Sequence, residues 1–305
     1  MIKEIHSKFK NTEISKHEYI EQMYVVHNIL FEYQPLLKNS EIERIEIDAK
    51  NIVFIYKHTG IKFICSIGDK RLAPLDSLNF GEYEREELEM QFRIIKPEWN
   101  IIDIGANYGW YALQMAANFS ENHIYSFEPI PHTFEQLNKN IVLNNCKNIT
   151  TINIGLSANS GTFDFYFNPQ LSVNASLANV SGDENMQKIV CTVSTLDSEI
   201  DKLSIIPHFI KIDIEGAELL ALKGGIQTIE KHKPAFFLEM LRKWSAKFNY
   251  HPNDIINLLT TKGYSCYTIH GSFLQRTKKV TEETVETNFI FLHSENHSDI
   301  IQKLT

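Results

Sequence analysis

An apolar strand pattern that ends in a carboxylate and a glycine-bearing turn most strongly constrains how this chain folds. Residues 101–109 read IIDIGANYG, and an amphipathic helix pattern starts directly after them. A second apolar segment follows one helix later and ends in Glu128. In a parallel sheet both strands would end at the same edge, where such sheets bind ligands. The pattern therefore predicts a βαβ unit with a ligand site beside Asp103 and Glu128.

The turn itself indicates which nucleoside would bind. Glu128 suits a ribose, because an ionised carboxylate accepts hydrogen bonds from two hydroxyls at once. A dinucleotide site needs the pattern G-x-G-x-x-G, but Asn107 occupies the second glycine position here. Asp103 would repel a pyrophosphate, whereas it suits the positive charge of S-adenosylmethionine. We therefore expect S-adenosylmethionine at this turn; the alternative is an ordinary strand-turn-helix in which Asn107 caps the helix.

Composition excludes several classes of partner. The 305-residue chain has a formal net charge of −8, and phosphate binding needs a basic surface, so we expect no nucleic-acid partner. No apolar run approaches the roughly 18 residues of a membrane span, and no signal peptide is visible. The four cysteines are widely spaced, which is typical of free thiols in a reducing compartment. We expect a soluble cytoplasmic protein, with the oligomeric state open and a homodimer among the options.

The organisation of the chain changes near residue 90. Residues 12–34 predict a helix that ends at Pro35, and strand-like segments with a turn follow it. A further helix is predicted over residues 82–95. Beyond it strands alternate with helices, which is typical of a doubly wound, mostly parallel sheet. We predict an N-terminal α+β appendage of helix and β-hairpin, residues 1–90, packed on an α/β domain, residues 91–305.

Two more apolar strands of this domain end in acids, at Asp213 and at Glu239. The last two strands, residues 264–269 and 288–292, flank a polar turn region and predict an antiparallel hairpin at one edge of the sheet. Residues 168–187 are polar and predict a long loop of the kind that often carries function.

Three motifs resemble those of the FkbM-type S-adenosylmethionine-dependent methyltransferases. They are DIGANYG at 103–109, FEP at 127–129 and KIDIEGAE at 211–218. Shorter pieces also resemble that pattern: GEYE at 81–84, TLD at 195–197, and KGG at 223–225 followed by Pro234 and Glu239. The resemblance spans residues 80–270 and implies a seven-stranded, Rossmann-like class I methyltransferase fold. It also implies methylation of a hydroxyl, often on a sugar or a secondary metabolite.

The resemblance and the strand-end chemistry together assign a cofactor site. Asp103 would hold the ammonium of the cofactor directly or through water, and the turn that follows it would shape the methionine end. Residues 156 and 157 would lie near the adenine. The expected cofactor-binding residues are Glu84, Asp103, Gly105, Ala106, Asn107, Tyr108, Gly109, Glu128, Pro129, Leu156, Ser157 and Asp213.

Methyl transfer to oxygen also requires that a proton be removed from the acceptor. Asp213 is the first choice for acceptor contact or base, with Glu215 and Glu239 in reserve. Lys211 is costly to bury without a partner, so it is either catalytic or a structural ion pair with Glu215, Glu239 or Asp213. Asp213 and Glu239 could also converge on Mg²⁺, an option that we do not favour because carboxylate pairs also serve as bases.

Three polar or aromatic residues are candidates for acceptor binding: Asn174, Ser176 and Trp244. They suit a hydroxylated small molecule or glycan, although the first two lie in what is otherwise a polar surface loop. Two acids have simpler interpretations, Asp197 as the N-cap of a helix and Glu218 as a partner of a helix dipole.

The leading functional hypothesis is an S-adenosylmethionine-dependent O-methyltransferase. An NAD(P)-dependent oxidoreductase is disfavoured by the missing second glycine. A non-catalytic nucleoside-binding scaffold is disfavoured by the acids that remain at four strand ends.

Overall fold

The computed structural model describes residues 1–65, 68–168, 171–178 and 186–305, and for residues 171–175 the main chain alone. The strands are β1 (Ile42–Ile47), β2 (Ile52–Tyr56), β3 (Lys62–Ile64), β4 (Asn100–Ile104), β5 (His123–Phe127), β6 (Ile149–Ile152), β7 (Gly155–Leu156), β8 (Gly161–Asn168), β9 (Leu171–Ser176), β10 (Gln187–Ser194), β11 (Pro207–Ile212), β12 (Ala235–Glu239), β13 (Tyr264–His270), β14 (Phe273–Thr277) and β15 (Asn288–His293). The helices are α1 (Ile2–Lys10), α2 (Lys16–Lys38), α3 (Ala73–Phe80), α4 (Arg85–Ile94), α5 (Trp110–Asn118), α6 (Pro131–Leu143), α7 (Leu196–Leu203), α8 (Glu218–Lys223), α9 (Ile226–His232), α10 (Arg242–Ser245), α11 (Pro252–Thr260) and α12 (Ser298–Leu304), with a 3₁₀ turn at Ala246–Phe248.

The central sheet has the doubly wound, Rossmann-like architecture that the sequence predicts. In the described part of the chain it contains eight strands, in the order β14-β13-β15-β12-β11-β4-β5-β6. The five strands from β6 to β12 are parallel, and β15 runs antiparallel to both of its neighbours. The prediction of seven strands is corrected by β14, a short strand that pairs with β13 and forms the outer edge. The predicted antiparallel pair at this edge is β13 with β15.

Apolar residues fill both faces of this sheet. In β12, Ala235 and Phe237 face a core layer that includes residues of α4, α5 and α6, whereas Phe236 and Leu238 face a layer formed with α7, α8, α9 and α11. Successive side chains of a strand point to opposite faces, so a strand covered by helices on both sides needs a continuous apolar run. The strand order reverses between β4 and β11, which opens a crevice at the carboxyl ends of these two strands.

A second sheet, β7-β10-β8-β9, lies after the third parallel strand. Phe165, Cys191 and Val193 form a small core with Ile130 beneath it. The sequence prediction of one long loop over residues 168–187 is therefore wrong in part, because residues 171–176 form β9. That segment pairs with β8 through main-chain hydrogen bonds. Its sequence, LSVNAS, alternates apolar with polar residues, which is a strand pattern that the polar residues around it obscure.

The N-terminal segment packs on the α/β domain through specific polar contacts. Two side chains of α6 pair with the main chain of the edge strand β3. The amide of Asn144 bonds both N–H and C=O of Lys62, at 2.8 and 2.7 Å, and Asn140 accepts from the N–H of Ile64 at 3.0 Å. Tyr56 and Phe63 add ring contacts with Trp110, the first residue of α5. An edge strand has unpaired main-chain groups, and these amides satisfy part of them.

Helix α2 extends further than predicted. A capping box formed by Ser15 and Glu18 starts the helix, and it continues through Pro35 to Lys38. Pro35 lies in the last turn, where its missing N–H removes one hydrogen bond without breaking the helix. The outer side exposes large apolar side chains: Ile20, Tyr24, Val25, Ile29, Leu30, Phe31, Tyr33 and Leu36. Across the described residues, no helix is both long and apolar enough to span a membrane.

The corner between α8 and α9 explains the paired glycines of the sequence. A Cβ at Gly224 would lie 2.1 Å from the carbonyl oxygen of Ser157, and one at Gly225 would lie 2.6 Å from Leu196. Asp197 supports the same corner. It accepts from the N–H groups of Gln227 and Thr228. The N-cap of α7 is Thr195, so the prediction that Asp197 caps its own helix is corrected: it caps α9.

We expect Gly224→Ala to lower the free energy of unfolding by about 1–3 kcal/mol or more, because overpacking against main chain forces the backbone to move. Urea unfolding monitored by circular dichroism measures this change. Gly60→Asn is the control, since Gly60 has a φ of +67° with no atom near its Cβ position, and Asn tolerates that conformation. Equal unfolding midpoints for the two variants would contradict the close approach at Gly224.

Candidate active site

A cavity of about 490 Å³ opens at the carboxyl ends of β4, β5, β11 and β12. Its size falls within the range of small-molecule sites, roughly 300–1,000 Å³. The cavity wall combines acids at the strand ends with aromatic residues from the N-terminal segment and apolar residues from the second sheet. Of the acids that the sequence indicated, those that line it are Glu84, Glu128, Asp213, Glu215 and Glu239.

The glycine turn forms the floor of this cavity. The N–H groups of Gly105 and Ala106 both donate to the carbonyl of Phe127 at 3.0 Å, which fixes the turn to the end of β5. Gly105 has a φ of +79°, and a Cβ there would lie 2.0 Å from the carbonyl oxygen of Asp213. Only glycine fits between the ends of β4 and β11 at this point. Asn107 follows in the left-handed region, with a φ of 49°.

Glu128 is held in place before any ligand binds. One of its carboxylate oxygens accepts from the N–H of Asn107 at 3.0 Å, and the other accepts from the N–H of Ile130 at 2.9 Å. Burial raises the pKa of Glu128 to about 7, although these two hydrogen bonds act in the opposite direction. Each oxygen keeps a further lone pair, so the carboxylate can still accept from ligand hydroxyls.

Lys211 is an almost fully buried ammonium beneath the cavity. Its Nζ lies 3.3 Å from Asp103, 3.6 Å from Asp213 and 3.0 Å from the carbonyl of Gly105, and it lies over the ring of Tyr111. Burial alone would lower the pKa of Lys211, but the charges of Asp103 and Asp213 raise it above its usual value. Of the partners that the sequence suggested, the structure gives Asp213, and it adds Asp103.

Asp103 therefore sits behind the cavity. Its side chain is 0% exposed, and it does not belong to the cavity wall. In this position Asp103 compensates the charge of Lys211, and Lys211 in turn contacts the cavity.

Three carboxylates form a cluster on the other side of Lys211. Asp213, Glu215 and Glu239 each place one oxygen within 4.8 Å of the others. Burial, followed by the charge of Asp213, raises the pKa of Glu215 and of Glu239 well above the usual range. Glu215 also has a φ of 57°, and its carbonyl accepts from the hydroxyl of Ser176 at 2.9 Å. The strained main chain is thus fixed by the second sheet.

The donor set of this cluster fits a hard divalent cation such as Mg²⁺, because all three ligands are carboxylate oxygens. It fits equally well a carboxylate that removes a proton while its protonated neighbours donate hydrogen bonds.

Glu218, close by in sequence, closes the turn: one oxygen accepts from the N–H of Gly216 at 2.9 Å, and the other accepts from the hydroxyl of Tyr250 at 2.9 Å.

The N-terminal segment supplies one further wall. Glu84 precedes α4 with a φ of 47°, and burial followed by the charge of Asp213 raises its pKa to about 7. Burial, followed by the charge of Glu84, raises the pKa of Tyr111 above its usual value, and the ring of Tyr83 meets that of Trp110 edge-on. Left-handed main chain at a non-glycine residue is uncommon and concentrates at functional sites.

The remaining sequence candidates divide between the cavity wall and its support. Ala106, Tyr108, Pro129, Leu156 and Trp244 line the cavity. Gly109, Ser157 and Ser176 lie outside its wall and position residues that form it. The side chain of Asn174 lies outside the described residues.

Comparison with known proteins decides the family. The sequence profile described as "Methyltransferase FkbM domain" matches residues 103–266, more than half of the chain. The chain belongs to the FkbM methyltransferase family. The match includes the glycine turn, Glu128 and the cluster at Asp213.

Individual relatives of this family are distant. Methyltransferase sdnD of Sordaria araneosa is 28% identical, over 41% of this chain and 59% of that protein. Hexuronic acid methyltransferase AglP of Haloferax volcanii is 28% identical, over 42% of this chain and 50% of that protein. The matches thus span half to three fifths of these relatives' lengths. Among solved structures, the FkbM methyltransferase of Methylobacillus flagellatus KT is 18% identical with a TM-score of 0.43, over 88% of this chain and 59% of that one.

Several cavity residues of this FkbM-family chain were not found by sequence reasoning. They are Phe63, Arg71, Tyr83, Trp110, Tyr111, Phe165 and Leu177. Most come from the N-terminal segment and the second sheet, which carry no strand-end pattern. The ion pair of Lys211 with Asp103 did leave a signal, because each is a charged residue inside an apolar strand and the two are register partners in β11 and β4.

We expect Lys211→Met to lower the free energy of unfolding by about 3–5 kcal/mol, because it leaves buried Asp103 without a compensating charge. The double variant that adds Asp103→Leu should recover part of the loss. Chemical unfolding at pH 7.5 measures both. Lys188→Met serves as control: Lys188 lies 3.5 Å from Asp164 at the surface, and removing it should leave the midpoint unchanged. Equal losses at the two lysines would rule out a structural role for the buried pair.

Proposed function

We propose that this protein transfers a methyl group from S-adenosylmethionine to a hydroxyl oxygen of a sugar-like acceptor. The observation that carries the proposal is the arrangement of carboxylates around a glycine turn at the edge of the sheet, with Glu128 already oriented by two main-chain N–H groups. S-adenosylmethionine supplies a methyl carbon that is activated for attack by its positively charged sulfur. The chain has to orient the two reactants, exclude water and remove one proton.

Glu128 would bind the ribose of the cofactor, since it lines the cavity and each of its oxygens retains acceptor capacity. Leu156 and Pro129 would enclose the adenine at the far end of the cavity. Glu84 and Asp213 would face the positive charges of the methionine part. Gly105 and Asn107 allow the main chain to follow the ligand closely.

Asp213 would be the base. It is the most exposed member of the buried ion-paired group, with 30% of its side chain accessible, so an acceptor hydroxyl can reach it. Lys211 compensates its charge from below. Glu215 and Glu239, with raised pKa values, would stay protonated near neutral pH and donate hydrogen bonds to the acceptor. The hydroxyl proton would pass to the carboxylate of Asp213 as the oxygen–methyl bond forms and the sulfur–methyl bond breaks, with S-adenosylhomocysteine as the leaving group.

The acceptor would lie against Trp244, which follows β12 on the side of the cavity nearest Glu239. An indole face packs well against the apolar face of a sugar ring, while the cluster of acids bonds its hydroxyls. One relative of the family is named as a hexuronic acid methyltransferase, which supports a sugar acceptor without specifying it. The reaction as proposed routes no step through a metal ion.

An NAD(P)-dependent oxidoreductase is a weaker proposal. Asn107 and the surrounding acids offer no site for a pyrophosphate, because like charges repel at short range. A non-catalytic nucleoside-binding scaffold would not need the cluster of three acids that crowds the cavity beyond Glu128.

Calorimetric titration tests the cofactor. We expect S-adenosylmethionine to bind and NAD(P) to give no heat. Affinity for S-adenosylmethionine should rise about ten-fold between pH 6 and pH 8, because Glu84 and Glu128, with pKa values raised to about 7, are largely protonated at the lower pH and ionised at the higher.

Glu128→Ala should weaken this binding at least ten-fold at pH 8 while the unfolding midpoint shows that the protein remains folded. Absence of heat for the wild-type protein, or unchanged affinity in the variant, would refute the proposed cofactor site.

Two variants distinguish the residue that binds the acceptor from the residue that removes its proton. In assays that follow methyl transfer to hexuronic acids and their oligomers, Trp244→Ala should raise the KM for the acceptor with little change in kcat. Asp213→Asn should lower kcat by about 10²–10⁴, the usual contribution of a general base. Both retain Glu128, so binding of the cofactor measures whether the site is intact. If Asp213→Asn keeps the kcat of the wild type, Asp213 is not the base and another group removes the proton.

A further inference from the structure

The proposed function creates an electrostatic requirement that the acids of the cavity do not meet. S-adenosylmethionine carries a carboxylate as well as two positive charges. Glu84, Glu128 and Asp213, the acids assigned to the cofactor, line the cavity, and their ionised forms would repel a ligand carboxylate at short range. A cation of the cavity wall has to face it.

Among the described residues that line the cavity, the basic side chains are Arg71, Lys211 and Lys243. Lys211 is occupied by Asp103, Asp213 and the carbonyl of Gly105. Lys243 comes after β12 and lies over the ring of Trp244, on the side that we assign to the acceptor. Arg71 remains for the methionine end.

Contacts of the N-terminal segment place Arg71 on the correct side. Arg71 lies two residues before α3, and Ser77 of α3 bonds the hydroxyl of Tyr56 at 3.0 Å. The ring of Tyr56 in turn lies 5.0 Å from that of Trp110. Trp110 is the first residue of the helix that follows the glycine turn, so α3 packs close to that turn, and Arg71 lines the same cavity as the turn.

The guanidinium of Arg71 is oriented by a buried acid. Its Nε donates to Oδ2 of Asp76 at 3.0 Å, and the Asp76 side chain is 6% exposed. The N–H of Arg71 donates to Asp69 at 3.0 Å, which fixes the main chain. In the described part of the chain, the guanidinium forms an ion pair with no other acid. With Nε occupied, its two η nitrogens remain, and such a pair of donors matches a carboxylate bidentately.

We propose that Arg71, oriented by Asp76, binds the carboxylate of the methionine part of S-adenosylmethionine. This inference rests on the proposed function and extends it: the N-terminal segment completes the cofactor site. Residues before the methyltransferase domain are then required for affinity toward the amino-acid end of the cofactor and are dispensable for its nucleoside end.

Two ligands that differ in that end provide the test. S-adenosylhomocysteine carries the carboxylate, whereas 5′-methylthioadenosine is the same thionucleoside without the amino acid. In calorimetric titrations of the full chain, Arg71→Ala should weaken S-adenosylhomocysteine binding about 10–100-fold, as expected for a lost hydrogen-bonded charge pair. Its affinity for 5′-methylthioadenosine should stay within two-fold of the wild type. Arg71→Lys, which keeps the charge and loses the paired donors, should fall between.

Arg44→Ala is the matched control, because Arg44 is an exposed arginine of the same segment that pairs with Glu43 and Glu46 and lies outside the cavity wall. It should change neither affinity. Asp76→Asn should reduce S-adenosylhomocysteine binding selectively, which a general loss of folding would not do.

The outcomes separate the two proposals. If the wild type binds S-adenosylhomocysteine and Arg71→Ala binds it equally well, the assignment of Arg71 is wrong while the cofactor site stands. Equal weakening toward both ligands would also overturn it, as a structural effect. If the wild type binds neither ligand, the proposed function itself fails.

Discussion

A single buried ammonium joins the two strands between which the sheet opens. Lys211 of β11 contacts Asp103 of β4, Asp213 and the carbonyl of Gly105. Burying such a charge costs several kcal/mol unless excellent geometry compensates it. These contacts of Lys211 therefore fix the ends of β4 and β11 relative to each other and to the glycine turn. Burial, followed by the charge of Asp213, raises the pKa values of the more distant Glu215 and Glu239, which this ammonium does not pair with.

Much of the α/β domain could be predicted from local sequence. Buried parallel strands read as continuous apolar runs, and the acids that end four of them mark the ligand edge without knowledge of any contact. The errors concern elements whose signal is weak or non-local. Strand β14 is short and largely exposed, β9 is a short alternating segment among polar residues, and α2 continues past a proline because its last turn tolerates the missing donor.

The candidate site divides in the same way. Glu128 and Asp213 were predictable, because each directly follows an apolar strand. Arg71 and Tyr83 were not, since their place in the cavity depends on how a separate segment packs on α5. The partner of Lys211 lies between these extremes. Asp103 and Lys211 occupy equivalent positions in two apolar strands, IIDI at 101–104 and FIKI at 209–212, but their pairing requires the register of β4 and β11, which the sequence alone does not provide.

The second sheet contributes Leu156, Phe165 and Leu177 to the cavity, yet it touches the strained turn at Glu215 through one serine hydroxyl. Its strands pair with one another and not with the parallel sheet. Substitutions on this sheet can therefore change the part of the cavity wall that it forms without disturbing the ion pair of Lys211 with Asp103. Changes in this sheet can alter the shape of the cavity while the charged floor between β4 and β11 stays the same.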